Sequence, residues 1–101
     1  MHPFRYRLPR FRTSFPVDFL VGEVDVIGRC IDISEAGMRG VFRQTMPVGT
    51  MGLLTLNHAP WRTEVSARVA YFSSDQMVLR FVSSHSYERV KLRQFMQALA
   101  S

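Results

Sequence analysis

Between Thr13 and Val82, short runs of Val, Ile, Leu and Phe are separated by Gly, Pro, Asn, Asp and Ser, the spacing expected of successive strands. Thr13 to Val21 reads as a first strand, with Pro16 tolerable near a strand start or edge. Gly22-Glu23 turns the chain, and Val24 to Ile33 reads as a longer second strand. A period of two puts Ile27, Arg29, Ile31 and Ile33 on one face. The pattern therefore predicts that Ile31 and Ile33 are buried together and that Asp32 faces away from them. Ser34 to Gly37 is a turn by composition, with Gly37 available for a positive φ. Met38 to Arg43, Met51 to Leu56, Trp61 to Phe72 and Met77 to Val82 follow as four further strands. Their connections are Pro47-Val48-Gly49, Asn57-His58-Ala59-Pro60 and Ser73-Ser74-Asp75-Gln76.

The period changes at Ser83. Leu92, Phe95, Met96 and Leu99 recur at i, i+3, i+4 and i+7, which predicts a helix from about His85. Ser83 or Ser84 can cap its start, and Tyr87 and Val90 extend its buried side. Six short strands followed by one helix predict an all-β domain with a C-terminal helix, a small six-stranded antiparallel barrel that the helix closes or covers. Trp61, beside Pro60, reads as a packing residue at one barrel end. The organisation expected is a single domain over residues 1–101, with a flexible basic arm at 1–12, the barrel at 13–82 and the helix at 83–101.

Composition narrows the class. At 101 residues the chain supports one modest core, and an apolar fraction of 47% argues against disorder. No apolar run approaches a membrane span, and the start lacks the hydrophobic segment of a signal peptide, so the expectation is a cytoplasmic protein without membrane insertion. The single cysteine, Cys30, sits in an apolar strand pattern and reads as a buried structural thiol. His2, His58 and His85 are scattered without ligand spacing, so neither a metal nor a cofactor is expected. No Ser-His-Asp or Cys-His constellation has supporting local context, and the chain does not read as an enzyme.

Charge changes the picture more. The formal charge is +5, and four arginines (Arg5, Arg7, Arg10 and Arg12) fall within one eight-residue stretch. Arginine's rigid fork suits phosphates and guanine edges. Beyond position 12 the chain is nearly balanced, with nine basic and eight acidic residues, whereas a nucleic-acid groove would spread its arginines over a barrel face. A nucleic-acid tail is therefore the weaker reading of the arm. About twenty residues later comes Asp32-Ile33-Ser34-Glu35-Ala36-Gly37, which offers an acceptor, a donor-acceptor hydroxyl and a glycine that admits close backbone approach. Asp32 and Ser34 can equally stabilise their own turn. Together the two segments point to a module that binds a nucleotide rather than one that turns it over.

This arrangement resembles the PilZ domain family of bacterial cyclic di-GMP receptors, whose pattern is RxxxR in an N-terminal segment followed by [D/N]xSxxG. Asp32, Ser34 and Gly37 match the second motif. Arg10 matches the second arginine of the first, but Tyr6 stands four positions before it, with Arg5 and Arg7 on either side. The resemblance implies that Arg10 with Arg5 or Arg7 holds phosphate and the guanine Hoogsteen edge. It also implies that Asp32 accepts from a guanine N–H, that Ser34 orients the arm or a base, and that Gly37 lets backbone approach the ligand. Two functions follow as expectations. One is a non-enzymatic cyclic di-GMP effector, monomer or weak dimer, that changes its surface or arm order and signals to a separate, unidentified protein. The other is a degenerate PilZ adaptor that no longer binds the ligand and acts through protein–protein contacts.

Overall fold

The computed structural model describes residues 10–82 and 85–100. Six antiparallel strands close into a barrel: β1 (Phe11–Val21), β2 (Val24–Ile33), β3 (Gly37–Phe42), β4 (Met51–His58), β5 (Trp61–Ser73) and β6 (Gln76–Phe81). Around the barrel the order is β1-β2-β3-β6-β5-β4, so β6 lies between β3 and β5. The one helix among the described residues, α1 (Ser86–Ala100), packs against β5. The all-β class, the six antiparallel strands and the terminal helix stand as the sequence predicts.

Alternation along each strand makes the core. Phe15, Val17 and Phe19 of β1 face Leu54 and Leu56 of β4, Val65, Ala67 and Val69 of β5, and Met77 and Leu79 of β6, all almost wholly buried. Apolar burial of this kind contributes roughly 25 cal/mol per Å² removed from water. The helix closes one end of the barrel with Leu92, Phe95 and Met96. There the Phe95 ring meets Phe15 edge-on, with centroids 5.5 Å apart, and His58 stacks on Phe15 from the β4 end.

Several boundaries and faces differ from expectation. The first strand begins at Phe11 rather than Thr13, because Phe11 and Arg12 pair with Ile33 and Asp32. The fourth runs on to His58, which pairs with Trp61 across a turn containing a cis Ala59–Pro60 peptide. In β2 the buried residues are Val26, Cys30 and Ile33, while Ile27 is 43% exposed and Ile31 only half-buried. The reason is a bulge. Cys30 pairs with Gly40 and Asp32 with Arg39, so Ile31 is an extra residue and the inward face changes parity across it. Ile31 and Ile33 therefore do not share a buried face.

The helix also buries less than expected. Tyr87 is 68% exposed and Val90 46%, because α1 meets the barrel through its second half. Trp61 stands at the barrel end beside Lys91, Gln94 and Phe95, as expected, and keeps 53% of its surface exposed there. The capping residues expected at Ser83 or Ser84 lie outside the described residues.

Candidate functional site

The β2–β3 turn carries the Asp-x-Ser-x-x-Gly motif, and the register of three strands places its parts. Asp32 sits at the end of β2 with Arg12 opposite on β1 and Arg39 opposite on β3. Ser34 closes the turn locally: its Oγ accepts the backbone N–H of Ala36 at 3.1 Å, and its own N–H donates to the Gly37 carbonyl at 2.9 Å. The turn is then tied to β6, since the Phe81 N–H donates to the Ala36 carbonyl at 2.9 Å. Ser34 thus stabilises its own turn, as one sequence reading held.

Gly37 acts through absence. Its φ is not positive, unlike that of Gly22 in the β1–β2 turn. A Cβ at Gly37 would instead collide with the Leu79 carbonyl oxygen on β6. The glycine is required because β6 runs hard against the motif turn, and that contact sets Arg80 directly across from Gly37.

Asp32 is not confined to its own turn. Arg10 Nη2 donates to Asp32 Oδ1 at 3.0 Å, and Arg39 Nε approaches Oδ2 at 3.6 Å. The last arginine of the N-terminal stretch and the carboxylate of the turn, 22 residues apart, therefore meet at one edge of the barrel. The Asp32 side chain keeps 22% of its surface exposed and that of Arg10 56%. Ion pairs this accessible are worth about 0–1 kcal/mol. The contact orients the two groups without locking them. A carboxylate has about four lone-pair sites, so Asp32 can hold both arginines and still accept a further donor.

A depression of about 150 Å³ lies beside this pair, lined by Arg10, Ser34, Gly37, Tyr71 and Arg80 among others. It brings together four of the six residues named from sequence if Asp32, ion-paired to Arg10, is counted with Arg10, Ser34 and Gly37. The other two, Arg5 and Arg7, lie outside the described residues, as does Tyr6. Arg39, Tyr71 and Arg80 were not singled out by sequence reasoning. Arg39 and Arg80 do stand at outward positions of β3 and β6, but only the β3–β6 pairing shows that they share a face with the motif. Arg39 Nε is also buried without a hydrogen-bond acceptor among the described residues, its nearest oxygen being that of Asp32.

Beneath the site, Cys30 is fully buried and its thiol donates to the Asp32 carbonyl at 3.4 Å. Burial, with the Asp32 carboxylate adding to it, pushes the thiol up to about 12 from 9.0, so it is neutral and unreactive at physiological pH. Among the described residues no group of three or more His, Cys, Asp and Glu side chains is placed to hold a metal ion. No helix there is long and apolar enough to cross a membrane.

Comparison with known proteins agrees with this geometry. The PilZ domain is the family that matches, over residues 4–98. No curated protein matches the chain. Among solved structures, the PilZ domain of YcgR from Escherichia coli, determined with c-di-GMP, superposes with a TM-score of 0.79 at 15% identity, covering 95% of this chain and 92% of that one. The PilZ domain of CeSA from a cellulose-synthesizing bacterium gives 0.78 at 12% identity, covering 92% and 99%. An uncharacterised Legionella protein gives 0.66 at 20% identity, covering 91% and 94%. At these identities the structural neighbours speak for the fold, and the family match spans nearly the whole sequence. A closed six-stranded barrel with a terminal helix and an intact Asp-x-Ser-x-x-Gly turn facing Arg10 makes this chain a member of the PilZ domain family.

Proposed function

We propose that this protein is a non-enzymatic receptor for cyclic di-GMP that signals to a separate partner protein by changing the surface around its ligand. The Arg10–Asp32 contact carries the reading, because it joins the arginine segment to the motif turn at one groove. Cyclic di-GMP presents two phosphodiesters and two guanines. Arg10 would give its fork to a phosphate or a guanine Hoogsteen edge, and Asp32 would accept from a guanine N–H. A charge-assisted ligand contact is worth about 1.5–3 kcal/mol, against about 0–1 kcal/mol for the exposed pair beside which it forms. Tyr71, 52% exposed at the groove, offers a face on which a base can stack. The structure of YcgR with c-di-GMP lends the family context.

A second reading rests on one observation, that Tyr6 and not arginine stands four residues before Arg10. On that reading the module has lost the ligand and serves as an adaptor. Isothermal titration with cyclic di-GMP, using GTP as the control, separates the two. Binding in the micromolar range or tighter with no GTP response is the result expected, and an absence of heat with cyclic di-GMP at tens of micromolar selects the adaptor. Within a binding protein, Tyr6→Arg restores the four-residue spacing. It should tighten affinity about fivefold, near 1 kcal/mol, unless Arg5 or Arg7 already fills that place.

A further inference from the structure

The groove at the motif turn is small for the ligand it is assigned, because sites for molecules of that size usually enclose about 300–1,000 Å³. It continues, however, into a second depression of about 310 Å³ lined by Gly49, Arg68, Tyr71 and Arg80. Tyr71 and Arg80 line both, so the two form one track running from Arg10 and Ser34 across β6 to β5. Arg68, which lines only the second depression, is the direct cross-strand partner of Arg80, which lines both, and the two are exposed. Like charges directly opposite on paired strands destabilise a sheet. Here nothing offsets them: among the described residues neither guanidinium has a carboxylate within ion-pair range. A β5 irregularity between Val69 and Tyr71 adds Ala70 to the strand and leaves Tyr71 exposed between the two depressions. An unbalanced arginine pair, next to an exposed aromatic ring and along a groove, has the chemistry of a phosphate subsite.

We infer that Arg68 and Arg80 form a second anion subsite for the ligand phosphodiester farther from Asp32, with Tyr71 as the stacking surface between the two ends. The inference rests on the receptor reading for the identity of the ligand, but the anion subsite can be tested without it. Calorimetry with cyclic di-GMP on the intact protein and on Arg68→Gln should show a loss of about tenfold in affinity, and Arg80→Gln a similar loss. In the free protein the same substitutions should raise Tm, since each relieves the cross-strand repulsion; a purely structural arginine would lower it. Separately, titration of the unmodified protein with inorganic pyrophosphate, read by the ¹⁵N shifts of arginine Nε, should move Arg68 and Arg80 ahead of Arg89 on the helix. If cyclic di-GMP binds but both variants keep wild-type affinity and pyrophosphate leaves Arg68 and Arg80 unmoved, the subsite is overturned and the receptor reading stands. If cyclic di-GMP does not bind while pyrophosphate moves those two, the receptor reading falls and the anion subsite stands.

Discussion

Asp32 has two arginines at its oxygens and a free share of its lone pairs, which makes it the organiser of the candidate site and leaves it able to accept a further donor. Arg10 directly precedes Phe11 and Arg12, which are paired into the sheet, so the strand fixes its direction. Replacing it should hurt more than replacing any other arginine of that stretch. Arg10→Ala is expected to cost about 1.5–3 kcal/mol of cyclic di-GMP affinity, or roughly ten- to a hundredfold. Stability should change little, since the lost pair is exposed, and calorimetry beside a thermal melt checks both halves. Cys30 makes a prediction of the opposite kind. Its folded pKa lies above the unfolded value, so its contribution to stability is complete below pH 9.0 and is lost as pH rises toward about 12. Native protein at pH 7.5 should resist iodoacetamide, and denaturant midpoints should fall over that alkaline window; ready alkylation of the folded protein would contradict the burial.

At the scale of elements, the barrel was legible because turn residues and apolar runs mark every strand, and the α1 stripe of Leu92, Phe95 and Met96 reads directly as a buried face. The inner face of β2 was not. A bulge at Ile31 breaks the period of two, and no residue in the strand announces it; Cys30 reads as buried, but Ile27 and Ile31 look more like core than Val26 does. The motif itself was legible in full, but its partners Arg39 and Arg80 depend on β6 entering between β3 and β5, a pairing set by tertiary packing. Gly37 ties the two levels together. Its place was evident from the motif, while its reason, the β6 backbone at its α-carbon, appears only in the folded barrel. Gly37→Ala should force β3 and β6 apart at the motif turn and destabilise the domain by about 1–3 kcal/mol. A denaturation midpoint equal to that of the parent would show that the contact yields easily.

For the whole molecule, the distribution of charge matters more than its sum. Arg10, Arg39, Arg68 and Arg80 occupy one side of the barrel with Asp32 as their carboxylate, while the helix closes the end formed by Phe15 and His58. The second half of the helix also reaches the motif turn, where Arg93, Met96 and Gln97 line a depression with Phe11 and Glu35. A dianionic ligand bound beside Arg10, Arg68 and Arg80 would neutralise repulsion there without disturbing the core. The central claim is that cyclic di-GMP binds where Arg10 meets the Asp-x-Ser-x-x-Gly turn, and amide chemical-shift mapping of the unmodified protein during titration with cyclic di-GMP tests it most directly. Saturable shifts at Arg10, Asp32, Ser34, Gly37 and Tyr71, with little change at Leu20 and Thr55, which lie along β1 and β4 away from the motif turn, are the result expected. A titration that saturates with shifts confined to the region of Leu20 and Thr55, or one that moves no amide at all, would contradict it.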